Sequence, residues 1–257
     1  MGTGKPVIAG RTAVVTGAGN GLGRAIAVRL AYEGARVVLT GRDKSKLQSV
    51  GDEIGEMARI EVVDASSPKS VTELAAALND EDVSILVNNA GIAGPVAPLW
   101  EVEPEQWDEV FATNVRGTYL MCRAFLPSMI DRGRGDVINL ASVSGKRPLA
   151  RRTPYTASKM AVIGLTATLA HEVGPFGVNV NTLSPGPVAG PRMTRNFTLE
   201  AQRQGISVEA AEHEFVSRSA LQRMVTENEV ALAVVAMLRM PGLCGADIDL
   251  SAGMVGR

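Results

Sequence analysis

The chain has 257 residues, 46% of them hydrophobic but only 4% aromatic, with a formal net charge of −1. That length suits one α/β domain whose core rests on Val, Ile, Leu, Met and Ala, and the charge gives no footprint for nucleic acid or an acidic membrane surface. The cysteines, Cys122 and Cys244, belong to no CxxC pair, and His171 and His213 show no HExxH spacing, which argues against a disulfide framework and a zinc site. The start, MGTGKPVIAGRT, lacks the apolar core of a signal peptide, and runs such as VALAVVAML are too short to cross a bilayer. A soluble cytoplasmic protein is expected, with no membrane or nucleic-acid partner.

Short β-branched runs alternate with longer amphipathic stretches. TAVVTG (12–17) reads as a strand, and GLGRAIAVRLAYEG (21–34) as a helix closed by Gly34. ARVVLTG, then DKSKLQSVGDEIG, form the next pair. RIEVVDA leads to SPKSVTELAAALND, with Ser67 as cap before Pro68. SILVNNAG is a strand, residues 104–131 are helical, and GDVINLAS is the fifth strand. A helix over 154–173, the strand GVNVNTLSPG, the helix TENEVALAVVAML and the strand GADIDLSAG complete the order. Strands that are apolar throughout suit a parallel sheet covered on both faces. The expected fold is therefore α/β: one doubly wound, Rossmann-type domain over residues 1–257, with seven mainly parallel strands. The charged stretch at about 188–225, after the sixth strand, breaks the rhythm and is expected to be a substrate-covering lid.

TGAGNGLG at 16–23 follows the first strand and opens the first helix. A strand turning sharply into a helix aims backbone N–H groups at a phosphate, and a Cβ at Gly17, Gly21 or Gly23 would obstruct the turn or the ligand. The plain alternative is a tight turn, but the position between first strand and first helix favours nucleotide binding. Tyr155 and Lys159, in YTASK, stand four apart and so share one face of a helix. A free phenol titrates near ~10, and a neighbouring cation favours its phenolate, which makes it a usable base or acid.

The spacing TGxxxGxG, with NNAG at 88–91, Asn114 in ATNVRG, Ser142 with twelve residues between it and Tyr155, YTASK and SPGPV at 184–188, resembles the short-chain dehydrogenase/reductases over nearly the whole chain. The resemblance implies an NAD(P)-dependent oxidoreductase acting on a secondary alcohol or a ketone. It implies catalytic roles for Asn114, Ser142, Tyr155 and Lys159, with Asn114 supporting a helix kink and a water relay and Ser142 polarising the substrate oxygen. Cofactor contacts fall on Gly17, Asn20, Gly21, Leu22 and Gly23 in the turn, on Asp64 after the third strand, and on Asn89, Ala90 and Gly91 after the fourth. Lys159, Tyr155, Pro185, Gly186 and Val188 complete that set, and a homotetramer is implied. One departure is Gly190, where relatives often carry a threonine that bonds the carboxamide. Candidate activities are 3-oxoacyl reductase, sugar or polyol dehydrogenase, and carbonyl reductase; the alternative is a catalytically inactive nucleotide-binding regulator.

The end of the second strand bears on the cofactor. An acid there would bond the adenosine ribose and repel a 2′-phosphate. VVLTGRD puts Gly41 at that point and Arg42 next, which favours NADP(H) with NAD(H) as the alternative; the plain reading is a solvated Arg42 at the start of a helix with Asp43 as its N-cap. Between Ser142 and Tyr155, Lys146, Arg147, Arg151 and Arg152 place four cations in seven residues. They could attract an anionic substrate, with Ser144, Arg147 and Arg152 as its contacts. The plain alternative is a solvated loop or paired arginines.

Overall fold

The computed structural model describes residues 8–147 and 149–255. Seven strands, β1 (Thr12–Thr16), β2 (Arg36–Gly41), β3 (Ala58–Val62), β4 (Val83–Asn88), β5 (Gly135–Leu140), β6 (Val178–Pro185) and β7 (Asp247–Leu250), form one sheet of order β3-β2-β1-β4-β5-β6-β7. Every neighbouring pair is parallel, so the sheet is parallel throughout rather than mainly so. β1 and β4 are buried along their whole lengths, which is why their sequences do not alternate.

Helices cover both faces. On one lie α1 (Gly21–Tyr32), α2 (Lys44–Ile54) and α9 (Glu227–Leu238), packed through Ile26, Leu30, Leu47 and Val234. On the other lie α3 (Pro68–Ala77), α5 (Gly117–Asp131) and α6 (Thr153–Val173), packed through Leu74, Met121, Phe125 and Val173. Local chemistry sets the starts. Asp43 Oδ1 accepts Ser45 N at 3.1 Å and Lys46 N at 3.2 Å, and Ser67 Oγ accepts Ser70 N at 3.3 Å ahead of Pro68.

The helical run from 104 to 131 is not one helix. α4 (Pro104–Phe111) passes through a π-helical turn at Ala112–Arg116 into α5. Such turns relax the i→i−4 ladder and redirect a side chain; here the residue concerned is Asn114.

The polar stretch after β6 holds α7 (Pro191–Gln204) and α8 (Val208–Val216). Its two ends meet in a parallel bridge between Val188 and Val225, with Ala189 N on Val225 O at 2.8 Å. α7 buries Met193, Phe197 and Ala201, and Phe197 meets Phe215 edge to face at 5.5 Å. Among the described residues no helix is long and apolar enough to cross a membrane.

Candidate active site

In a parallel sheet the crevice opens at the carboxyl ends of the strands, where the chain order reverses. Here that point lies between β1 and β4, and a cleft of about 840 Å³ occupies it. Its floor is largely backbone. Gly17 takes φ +65°, and a Cβ there would stand 3.1 Å from Ala90 Cα. A Cβ on Gly23 would lie 2.6 Å from Asn89 Nδ2 and 2.7 Å from the Gly17 carbonyl carbon, so the start of α1 and the end of β1 touch. Thr16 and Asn89 stitch the two loops together. Thr16 Oγ1 accepts Asn89 N and Ala90 N at 2.9 Å, and Asn89 Nδ2 donates to Thr16 O at 2.9 Å. Asn20, Gly21, Leu22 and Gly91 also line this part of the cleft.

At the β2 end the lining is ionic: Arg42, Asp43, Lys46 and Asp64. Gly41 is not sterically forced, because a Cβ there would rest 3.5 Å from Leu47 Cδ2, an ordinary contact. Asp43 is committed to capping α2, and its hydrogen bonds, first from Ser45 and then from Lys46, hold its carboxyl down at about 2. Asp64 Oδ1 accepts Ser66 N at 2.9 Å and Ser66 Oγ at 2.7 Å. The bond from Ser66 chiefly, and the positive charges of Arg42 and Arg116 after it, hold the Asp64 carboxyl below its ordinary value. Lys46 is a lining residue that the sequence reading missed. Its stem packs where a Cβ on Gly19 would come within 2.9 Å of Lys46 Cβ, a contact between α2 and the glycine turn that no local pattern announces.

At the β5–β6 end the cleft reaches Leu140, Ala141, Tyr155 and Lys159. Lys159 is 6% exposed, and its Nζ donates to Leu140 O at 2.8 Å and lies 5.8 Å from the Tyr155 ring centroid. A buried ammonium needs such acceptors. Asn114 stands behind Gly91: a Cβ on Gly91 would lie 3.1 Å from Asn114 Oδ1 and 3.4 Å from Lys159 Nζ. The Asn114 amide accepts Ile92 N at 2.8 Å and donates to Ile92 O at 3.0 Å and Ser158 Oγ at 2.9 Å. Ser158, also missed from sequence, donates to Tyr155 O at 2.7 Å, so the π turn, the loop after β4 and the first turn of α6 are tied together. Both N–H groups of that amide are thereby committed to the chain. Ser142 follows Ala141; its Oγ accepts Ser144 N at 3.2 Å and makes a long 3.5 Å contact with Pro185 O. Pro185 and Val188 line the cleft, whereas Gly186 serves packing, since a Cβ there would lie 2.8 Å from Ser251 Cα.

The four-cation field expected between Ser142 and Tyr155 is smaller than its sequence suggests. Lys146 Nζ pairs with Asp247 at 2.8 Å and with Asp249, both on β7. The Arg152 guanidinium donates to Ala93 O at 3.3 Å and Gly94 O at 3.4 Å, the loop after β4. Neither Arg147, Arg152 nor Ser144 lines the cleft.

A backbone floor at Gly17 and Gly91, where a Cβ would crowd the residues behind it, with cations at one end of the cleft and a Tyr–Lys pair at the other, fits an extended dinucleotide. The molecule belongs by this architecture to the dinucleotide-binding α/β enzymes. The family profile for short chain dehydrogenase matches residues 11–202, and the chain belongs to that family. It is similar to the 3-oxoacyl-[acyl-carrier-protein] reductase of Vibrio cholerae, 37% identical over 179 residues, which cover 69% of this chain and 73% of that one. Among solved structures it is similar to actinorhodin polyketide ketoreductase with NADPH, with TM-score 0.89 and 31% identity over 95% of this chain and 97% of that one. NAD+-bound xylitol dehydrogenase matches with TM-score 0.88 and 27% identity over 96% and 99%. The protein is thus a dehydrogenase/reductase that acts on CH–OH or C=O groups of a small molecule and binds a nicotinamide cofactor.

Proposed function

We propose that the protein interconverts a ketone and a secondary alcohol with NADP(H), using Tyr155 as proton donor and acceptor. The observation that carries this reading is the buried Lys159 ammonium 5.8 Å from the Tyr155 ring, both lining the cleft. When bound, the cofactor supplies or takes up the hydride. The chain handles the proton. In reduction, the Tyr155 phenol gives its proton to the substrate oxygen, and the Lys159 charge favours the phenolate left behind. The Ser142 hydroxyl donates a hydrogen bond to the same oxygen and draws charge toward it. Asn114 keeps Ile92 and the start of α6 in register rather than touching substrate.

The preference for NADP(H) is supported by the missing acid at Gly41 and by Arg42 and Lys46 at that end of the cleft. A 3-oxoacyl or polyketide-like ketone is the substrate class supported by the likeness to the Vibrio cholerae reductase and the actinorhodin ketoreductase. Of the cations expected to meet an anionic group on it, Lys146 and Arg152 are engaged by the chain itself. Residues 188–225 serve as the cover of the substrate, with α7 and α8 as its frame. A homotetramer is the assembly we propose, and Tyr119 and Met160, 48% and 47% exposed on α5 and α6, are apolar side chains it could cover. A panel of 3-oxoacyl thioesters, cyclic ketones and polyols, each run with NADPH/NADP+ and NADH/NAD+ and followed at the reduced-nicotinamide absorbance band, tests the reading. Turnover of a ketone with NADPH is expected; no turnover of any carbinol or carbonyl compound would overturn it.

A further inference from the structure

An acid in the first turn of a helix is usually explained by the helix dipole alone. Glu227 opens α9 directly after its cap, Thr226, and meets that description. It also has a second feature. Its Oε1 lies 3.7 Å from where a Cβ would stand on Gly21 and 3.8 Å from where one would stand on Gly190. Gly21 opens α1, and Gly190 caps α7. One carboxylate therefore stands between the glycine turn and the root of the cover, and it lines the cleft. The other acid of this turn is placed differently. Glu229 is folded back, accepting Thr226 N at 2.8 Å and Arg223 Nη2 at 2.6 Å.

The first N–H groups of α1 have no partner inside the helix. Backbone bonding in α1 begins with Arg24 N on Asn20 O at 3.1 Å, which leaves Gly21, Leu22 and Gly23 facing the cleft as anion donors. A carboxylate at that spot opposes a second anion: it shares the same helix dipole and repels the newcomer. At roughly 6 Å in water-like surroundings, one pair of unit charges changes an affinity about threefold, and the two charges of a pyrophosphate about tenfold.

Resting on the reading of this cleft as a dinucleotide site, we propose that Glu227 is an electrostatic brake on cofactor binding. It weakens the hold on the pyrophosphate and hastens release, against the attraction of Arg42 and Lys46 at the far end.

The test is a titration of NADPH and of NADH into the full chain, read by cofactor fluorescence, with dissociation rates from stopped flow. Glu227→Gln and Glu227→Ala remove the charge with and without a polar group, and thermal melts of the free proteins establish that both fold. Asp80→Asn removes a charge just before β4, at the amino ends of the strands and so away from the cleft, and serves as control. Both Glu227 variants are expected to bind each cofactor about three- to tenfold more tightly, mainly through slower release, with the gain shrinking as salt rises. Asp80→Asn is expected to match wild type. Unchanged affinity in the Glu227 variants overturns the proposal, and weaker affinity overturns it by making the carboxylate a ligand. If the wild-type chain binds neither dinucleotide, the reading of the cleft fails and takes the brake with it.

Discussion

Replacing Gly23 with alanine puts a methyl carbon 2.7 Å from the Gly17 carbonyl carbon and 2.6 Å from Asn89 Nδ2. Non-bonded carbons rest about 3.5–4.0 Å apart, so the start of α1 must retreat from the turn by close to 1 Å. It has little room to do so, because Ile26, Ala27 and Leu30 on the same helix are fully buried against the sheet and α9. The Asn89 amide, bonded to Thr16 O at 2.9 Å, is displaced as well. Overpacking of this kind costs about 3 kcal/mol. Two controls separate clash from backbone strain. Gly10→Ala, at φ +77° with nothing within 4 Å, and Gly21→Ala, at φ +53° with only Glu227 Oε1 at 3.7 Å, each carry left-handed strain of about 1 kcal/mol. Urea unfolding followed by circular dichroism is expected to lower the midpoint of Gly23→Ala by about 1 M and the controls by about a third of that. Gly23→Ala is also expected to lose NADPH binding, which Gly10→Ala keeps. Equal losses in all three variants would refute the packing argument.

Arg42→Ala is expected to weaken NADPH by about tenfold or more while changing NADH less than twofold, measured by fluorescence titration; equal losses would mean that Arg42 does not read a 2′-phosphate. Lys159→Ala is expected to lose turnover and also some cofactor affinity, because the ammonium serves both, and paired kinetic and binding measurements check it. Asn114→Leu removes the bonds to Ile92 and Ser158 and leaves Ile92 N without its acceptor, a loss of about 2–4 kcal/mol in urea unfolding, with turnover falling further than stability explains.

Much of the frame was legible because local chemistry writes it. Ser67 caps the helix it is expected to cap, and β1 and β4 read as unbroken apolar runs because both faces are covered. What stayed hidden depends on distant partners. Only the family resemblance put a kink at Asn114; by its own pattern Ala112–Arg116 looks like ordinary helix until Asn114 meets Ile92 and Ser158, the latter 44 residues on. Lys146 reads as a free loop cation until β7 supplies Asp247 and Asp249, more than 100 residues later. α7 and α8 are hard to see because their buried residues, such as Met193, Phe197 and Val216, are sparse among charges. Lys46 and Glu227 enter the cleft only through the packing of α2 and α9 against α1.

The central claim is that Tyr155 carries the proton and does little to hold the cofactor. It is tested most directly by comparing wild type and Tyr155→Phe in two measurements on the same preparations. One is turnover of the best ketone from the panel; the other is the dissociation constant for NADPH. The phenyl ring keeps its place beside Lys159 while the proton is lost, so turnover is expected to fall by about 10²–10⁴-fold with NADPH affinity within about twofold of wild type. Turnover near the wild-type rate, with affinity unchanged, would contradict the account.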